Sequence, residues 1–139
     1  MKKIYPIDGK FIPINEIHNM KYIYAHIPRT GGKSLWQYLL KYNKNEEVIY
    51  HHTKKNIETY KYNLYNSNKI PIFTILRNPI NRVISEWQSY GKKRDIFDYI
   101  NDKSTHNTQV KFLLGYKMND SINIHINDIQ FLKKKILEK

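Results

Sequence analysis

The sequence predicts a single layered α/β domain over residues 1–139, with a small central parallel sheet flanked by helices. Three observations predict it. The runs Tyr22–Ile27 and Ile70–Leu76 are dense in aromatic and β-branched residues, the composition of buried strands. Each run stops at a break containing proline or glycine, Pro28–Gly32 and Arg77-Asn78-Pro79, after which apolar residues return at helical spacing. No internal repeat and no Pro/Ser/Gly-rich linker divides the chain, so the alternating strands and helices belong to one sheet and its layers.

Residues 1–20 read as an N-terminal arm or hairpin. Asp8-Gly9 makes a turn between short apolar runs, and Pro6 and Pro13 suit an edge or loose arm. Residues 21–90 form the core. Its first strand, Tyr22–Ile27, leads into a glycine break, and from Ser34 onward Leu35, Trp36, Leu39 and Leu40 mark a helix. A shorter strand covers Glu47–Tyr50, and a polar helix covers Asn56–Tyr65. After the strand Ile70–Leu76, Pro79 occupies the first turn of the next helix, where its missing N–H is no loss. Val83, Ile84 and Trp87 give that helix its apolar side. Residues 91–139 are a helical C-terminal part, with helices at roughly 95–101, 108–114 and 127–138.

Charge narrows the partners without choosing one. Lys and Arg total 24 against 12 Asp and Glu, a formal net charge of +12. Such a surface attracts nucleic acid, acidic membrane, anionic glycan or a phosphorylated cofactor. A lysine-rich composition produces the same charge without any of them. No recognised DNA- or RNA-binding motif accompanies it, so no specific nucleic-acid partner is expected. The chain has no cysteine, which excludes disulfides, thiolate catalysis and Cys-ligated zinc. The six histidines show no ligand spacing, so no metal is expected. Met1-Lys2-Lys3-Ile4-Tyr5-Pro6 is basic but no apolar run follows, and no stretch is long enough to span a bilayer. The expectation is a soluble, cytoplasmic or otherwise intracellular chain without a signal peptide.

The segment Ile27-Pro28-Arg29-Thr30-Gly31-Gly32-Lys33-Ser34 lies between a strand and a helix, the P-loop-like feature of the chain. Glycines there let the backbone turn tightly and direct N–H groups at an anion, and the helix N-terminus adds partial positive charge. Arg29, Lys33 and the hydroxyls of Thr30 and Ser34 add donors. A nucleoside-triphosphate P-loop, G-x-x-x-x-G-K-[ST], is the competing pattern. Gly32-Lys33-Ser34 matches its end, but its first glycine falls on Ile27. The second strand ends in Arg77-Asn78 where such enzymes place a magnesium-binding aspartate. A kinase is therefore the lesser alternative.

Ala25-His26-Ile27-Pro28-Arg29-Thr30-Gly31-Gly32-Lys33-Ser34 resembles the H-I-P-K-T-G-G-T-S signature of glycan O-sulfotransferases of the heparan sulfate 2-O and 6-O type. Those enzymes use 3′-phosphoadenosine 5′-phosphosulfate (PAPS). Leu76-Arg77-Asn78-Pro79-Ile80-Asn81-Arg82-Val83-Ile84-Ser85-Glu86-Trp87 resembles their second signature, L-R-D-P-x-x-R-x-x-S-E-[WY]. The resemblance implies that residues 21–90 are a PAPS-binding core. Arg29, Thr30, Gly31, Gly32, Lys33 and Ser34 would bind the 5′-phosphosulfate, and Arg77 and Ser85 the 3′-phosphate. A donor with phosphates at both ends of its nucleoside needs two such anion sites. Arg29 stands where the family has lysine and Lys33 where it has threonine; arginine keeps the charge as a broad planar fork.

Sulfuryl transfer needs a base for the acceptor hydroxyl, and histidine titrates in the right range. His51 and His52 follow a predicted strand between the two signatures, where the resembled family also has a catalytic histidine. One of this pair is the expected base, His52 ahead of His51, with Arg29 completing the catalytic set. His26 reads as a strand residue packing near the loop, and Glu86 and Glu58 are reserve bases. His106-Asn107-Thr108-Gln109-Val110 weakly resembles an Asn/Arg-Gln segment of 6-O-type enzymes. The resulting expectation is sulfuryl transfer from PAPS, without a metal, to a hydroxyl of an anionic or neutral glycan. A shortened module that binds PAPS or glycan without turnover is the alternative.

Overall fold

The computed structural model describes residues 10–42, 44, 47–52, 55–66, 70–91, 93–117 and 120–137. The turn expected at Asp8-Gly9 and the proline at 6 lie outside the described residues. The chain divides into two compact units, Met1–Ile75 and Leu76–Lys139.

In the first unit a 3-10 turn, Ile14–Asn19, precedes the strand β1, Tyr22–Ala25. The helix α1, Gly32–Lys41, the strand β2, Val48–His51, the helix α2, Ile57–Tyr65, and the strand β3, Ile72–Thr74, follow. The sheet order is β2-β1-β3, and both pairings are parallel. The class read from the sequence is thus the class found, α/β with a small parallel sheet. β1 and β3 are shorter than expected, because Ile27 is already in the loop and, among the described residues, Ile75 and Leu76 pair with no strand.

Alternation along the strands sorts the side chains between two faces. Tyr24, Val48 and Tyr50 pack with Trp36 and Leu39 of α1, and Leu35 and Phe73 join them. Tyr24 stacks on Phe73 at 5.0 Å, and Trp36 meets Tyr50 edge-on at 4.8 Å. On the other face His51 stacks on Tyr60 of α2 at 4.3 Å. All four β2 residues are buried, so this strand is covered on both faces.

Asn56 fastens the start of this unit to its sheet. Its backbone is left-handed (φ 61°), a conformation asparagine tolerates better than most. Its Oδ1 accepts from the Ile12 N–H at 2.9 Å, and its Nδ2 donates to the Tyr50 carbonyl at 3.0 Å and the Lys10 carbonyl at 3.2 Å. Thr59 adds a bond from its hydroxyl to the Ile12 carbonyl at 2.6 Å.

The second unit contains α3, Pro79–Glu86, a π-helical turn, Trp87–Gly91, and α4, Ile96–Asn101. A 3-10 turn, Lys103–Thr105, α5, Thr108–Leu113, and α6, Ile126–Leu137, complete it. Among the described residues no helix is long and apolar enough to cross a membrane. α3 departs from the sequence reading: Arg82 and Ser85 are its buried residues, while Ile84 is exposed. Burying Arg82 is tolerable because Glu86, one turn on, pairs with its guanidinium, and the Tyr99 hydroxyl donates to Glu86 at 2.5 Å. Lys111 is also buried, its ammonium donating to the carbonyls of Ser104 at 2.7 Å and Asp120 at 2.9 Å.

Candidate functional site

The loop after β1 leaves the sheet at its carboxyl edge, where open α/β sheets place their ligands. Two left-handed residues shape it. Arg29 has φ 67° and Gly31 φ 93°, and between them the Thr30 hydroxyl donates to the Ile27 carbonyl at 2.6 Å. That bond turns the Thr30 proton into the loop, leaving its backbone rather than its hydroxyl as the natural donor outward. Arg29, Lys33 and Ser34 are exposed, whereas Thr30 and Gly32 are buried.

Gly31 is the N-cap of α1, and no side chain caps this helix start. The helix at the second signature differs. Asn78 caps α3 by accepting from the N–H groups of Ile80 at 3.0 Å and Asn81 at 3.1 Å, with Pro79 at its first position. The amides that open α1 therefore suit an external anion, while those of α3 are already engaged. No acidic residue lies between Ala25 and Trp36, so the donor set there fits a phosphate or sulfate group.

Three aromatic side chains stand beside the loop. The His26 N–H donates to the His51 carbonyl at 2.8 Å, which carries the edge of the sheet one residue past β1. The Tyr50 hydroxyl is hydrogen-bonded to His26 Nδ1, and the His52 ring stacks on His26 at 4.5 Å. Burial holds all of these groups uncharged: it pushes His26 down to about 3 and His52 down to about 4, and raises Tyr50 well above the usual tyrosine range. A neutral His52 is unprotonated near neutral pH and able to accept a proton.

The two adjacent histidines part company. His52 lies on the α1 side with His26 and the loop. His51 is fully buried against Tyr60 on the α2 side, its Nδ1 3.3 Å from the Lys55 carbonyl, and burial pushes it down to about 4. Glu58, a reserve base from sequence, lines a cleft of about 710 Å³ with Phe11, Ile14, His18 and Tyr62. Neither the loop nor His52 lines that cleft. The other reserve base, Glu86, is engaged with Arg82 and Tyr99.

In the second unit Arg77 is exposed and Ser85 buried. Gln109 of α5 holds the Arg77 backbone: its Oε1 accepts from the Arg77 N–H at 3.0 Å and its Nε2 donates to the carbonyl at 2.9 Å. The loosely matched segment around residue 109 thus has a concrete structural task. Sequence reasoning missed Asn56, Tyr50 and Lys111. The only local signal was an asparagine opening a helix, and Asn56 does not cap its own.

A family model described as "Sulfotransferase family" matches residues 14–132, most of the chain. No curated protein and no solved structure gives a significant match.

Proposed function

The chain belongs to the sulfotransferase family, and from that premise we propose that it transfers the sulfuryl group of PAPS to a hydroxyl, that of a carbohydrate. The observation that carries this reading is the uncapped start of α1, opened by a basic, glycine-turned loop, with the neutral His52 beside it. The loop Arg29–Ser34 takes the 5′-phosphosulfate through its amides and cationic side chains. Arg77 and Ser85 take the 3′-phosphate. The capped start of α3 supports that division, because its amides are engaged by Asn78 and a second anion there would be met by side chains.

His52 accepts the proton of the acceptor hydroxyl as its oxygen attacks sulfur in line. The S–O bond to the phosphate breaks, and its electron pair stays on the bridging oxygen of the leaving bisphosphate. Arg29, with Lys33, neutralises the charge that collects there, the kind of fixed electrostatic stabilisation that contributes most when water is excluded. His52 then releases its proton to solvent. A formal charge of +12 favours approach of an anionic glycan, and a neutral sugar remains chemically competent.

The test is calorimetry with adenosine 3′,5′-bisphosphate, using 5′-AMP and ATP with Mg²⁺ as controls, followed by radiolabelled transfer from PAPS to a panel of glycans. The expected result is micromolar-range binding of the bisphosphate, weakened on Arg77→Ala or Ser85→Ala, and transfer without added metal. Preference for ATP with Mg²⁺ would move the chain to phosphoryl transfer. Bisphosphate binding without transfer to any acceptor would leave a binding module.

A further inference from the structure

We propose that His26 is a positioning residue for His52: its ring fills the space that a side chain at Gly32 would occupy and forms the wall against which His52 stacks beside the loop. This rests on His52 being the base. A Cβ built on Gly32 would lie 2.1 Å from both Cδ2 and Nε2 of His26. Such a separation is impossible, so the His26 ring in this position requires glycine at 32. The same ring is flanked by aromatic neighbours, Tyr24 at 5.7 Å, Tyr50 at 5.3 Å and His52 at 4.5 Å between centroids.

Tyr50 sets the protonation of this ring. The Tyr50 hydroxyl is buried and bonds to His26 Nδ1. A buried phenol proton needs an acceptor, and Nδ1 supplies it, which places the imidazole proton on Nε2, the atom at Gly32. The groups facing His26 are the rings of Tyr24, Tyr50 and His52, and a positive charge on His52 or on His51 would disfavour one on His26. None of these supplies a negative charge, so His26 stays neutral. His52 can then take up a proton in transfer without meeting a second cation across the stack.

The test reads His52 directly, by NMR titration of labelled histidine rings in the whole chain, with His52→Gln identifying the signal. His26→Ala opens the stacked face to water. His52 should then titrate higher, by about one pH unit or more toward the ordinary histidine value, because desolvation is what holds it down. The acidic limb of kcat should move with it, while bisphosphate affinity changes by less than about threefold, within a fraction of a kcal/mol. The double variant His26→Phe/Tyr50→Phe keeps a ring in place without orphaning a phenol and should keep His52 titrating low. Gly32→Ala, which forces the ring aside, should reproduce the His26→Ala shift and serves if that variant fails to fold. An unchanged His52 titration in both would overturn the proposal. If the wild-type chain neither binds bisphosphate nor transfers sulfate, the functional reading fails, and the titration still decides the His26–His52 coupling separately.

Discussion

Gln109 holds Arg77 in both directions, accepting from its N–H at 3.0 Å and donating to its carbonyl at 2.9 Å. The two residues are 32 positions apart, so α5 sets where Arg77, the arginine proposed to bind the second anion, leaves the backbone. Gln109→Ala removes both bonds. Each contributes about 0.5–1.5 kcal/mol at most, less at an exposed position, so the melting temperature should fall only slightly. The affinity for adenosine 3′,5′-bisphosphate should drop about five- to tenfold, as a misplaced arginine loses roughly 1 kcal/mol of binding. Binding of 5′-AMP, which lacks the 3′-phosphate, should not change. Calorimetry with both ligands decides it: equal losses for the two would show that Arg77 does not read the 3′-phosphate.

The layered fold and the glycine-turned loop after β1 were readable because their determinants are local. Apolar runs, a break and basic residues follow one another within Tyr22–Ser34, where the break carries glycine, and again within Ile70–Ser85, where it is Asn78-Pro79. The faces were not readable to the same degree. Strand alternation requires His51 and His52 to point apart, but only the placement of α1 and α2 says which one shares a face with the loop. The buried side of α3 defeated the apolar reading for a similar reason. Arg82 is buried because Tyr99, thirteen residues beyond Glu86, completes its pair. Asn56 reaches partners 44 and 46 positions away, which no local pattern encodes.

Separate substitution of the two histidines should split catalysis from stability. His52→Gln removes the proposed base and leaves the loop, so turnover should fall by about two to four orders of magnitude, the usual range for general-base removal. Bisphosphate affinity should be unchanged. His51→Phe keeps a ring against Tyr60 and should retain turnover per folded molecule. Single-turnover transfer from PAPS, with bisphosphate calorimetry on the same samples, checks both. Full turnover in His52→Gln would remove it from the mechanism.

Asn56 predicts a large loss of stability with little loss of binding. Asn56→Ala leaves the Ile12 N–H and the Lys10 and Tyr50 carbonyls without their side-chain partner and puts alanine at φ 61°. Orphaned buried polar groups cost about 1–3 kcal/mol each, and partial rewetting of the Lys10 end limits the total to about 2–4 kcal/mol. Asn56→Gly relieves the backbone but not the bonds and should be nearly as unstable. Urea denaturation should show both losses, and limited proteolysis should cut the segment preceding the 3-10 turn faster. Wild-type stability in Asn56→Ala would mean that these bonds do not anchor the segment.

Two buried histidines, His26 and His51, and the half-buried His52 predict an acid limit to stability. In the unfolded chain a histidine titrates near 6.5, whereas folding holds His26 at about 3 and His51 and His52 at about 4, chiefly through burial. As pH falls below about 6.5 the unfolded chain takes up protons that the folded chain refuses, so stability is fully present above that pH and declines below it. Each histidine contributes a slope of up to about 1.4 kcal/mol per pH unit until its folded value is reached. Asp102, drawn down to about 2 first by the Ser104 N–H and then by the Ser104 hydroxyl and Arg94, adds its loss only below the ordinary carboxylate range. The window from about pH 6.5 to 4.5 therefore belongs to the histidines. Urea midpoints at about pH 7.5, 6 and 5 should decrease steadily at constant m-value. His51→Phe, which deletes one titrating ring from the α2 side, should flatten that decline by about a third. A midpoint that stays level down to pH 5 would mean that these rings are hydrated in the folded chain, and the neutral His52 required of the base would lose its support.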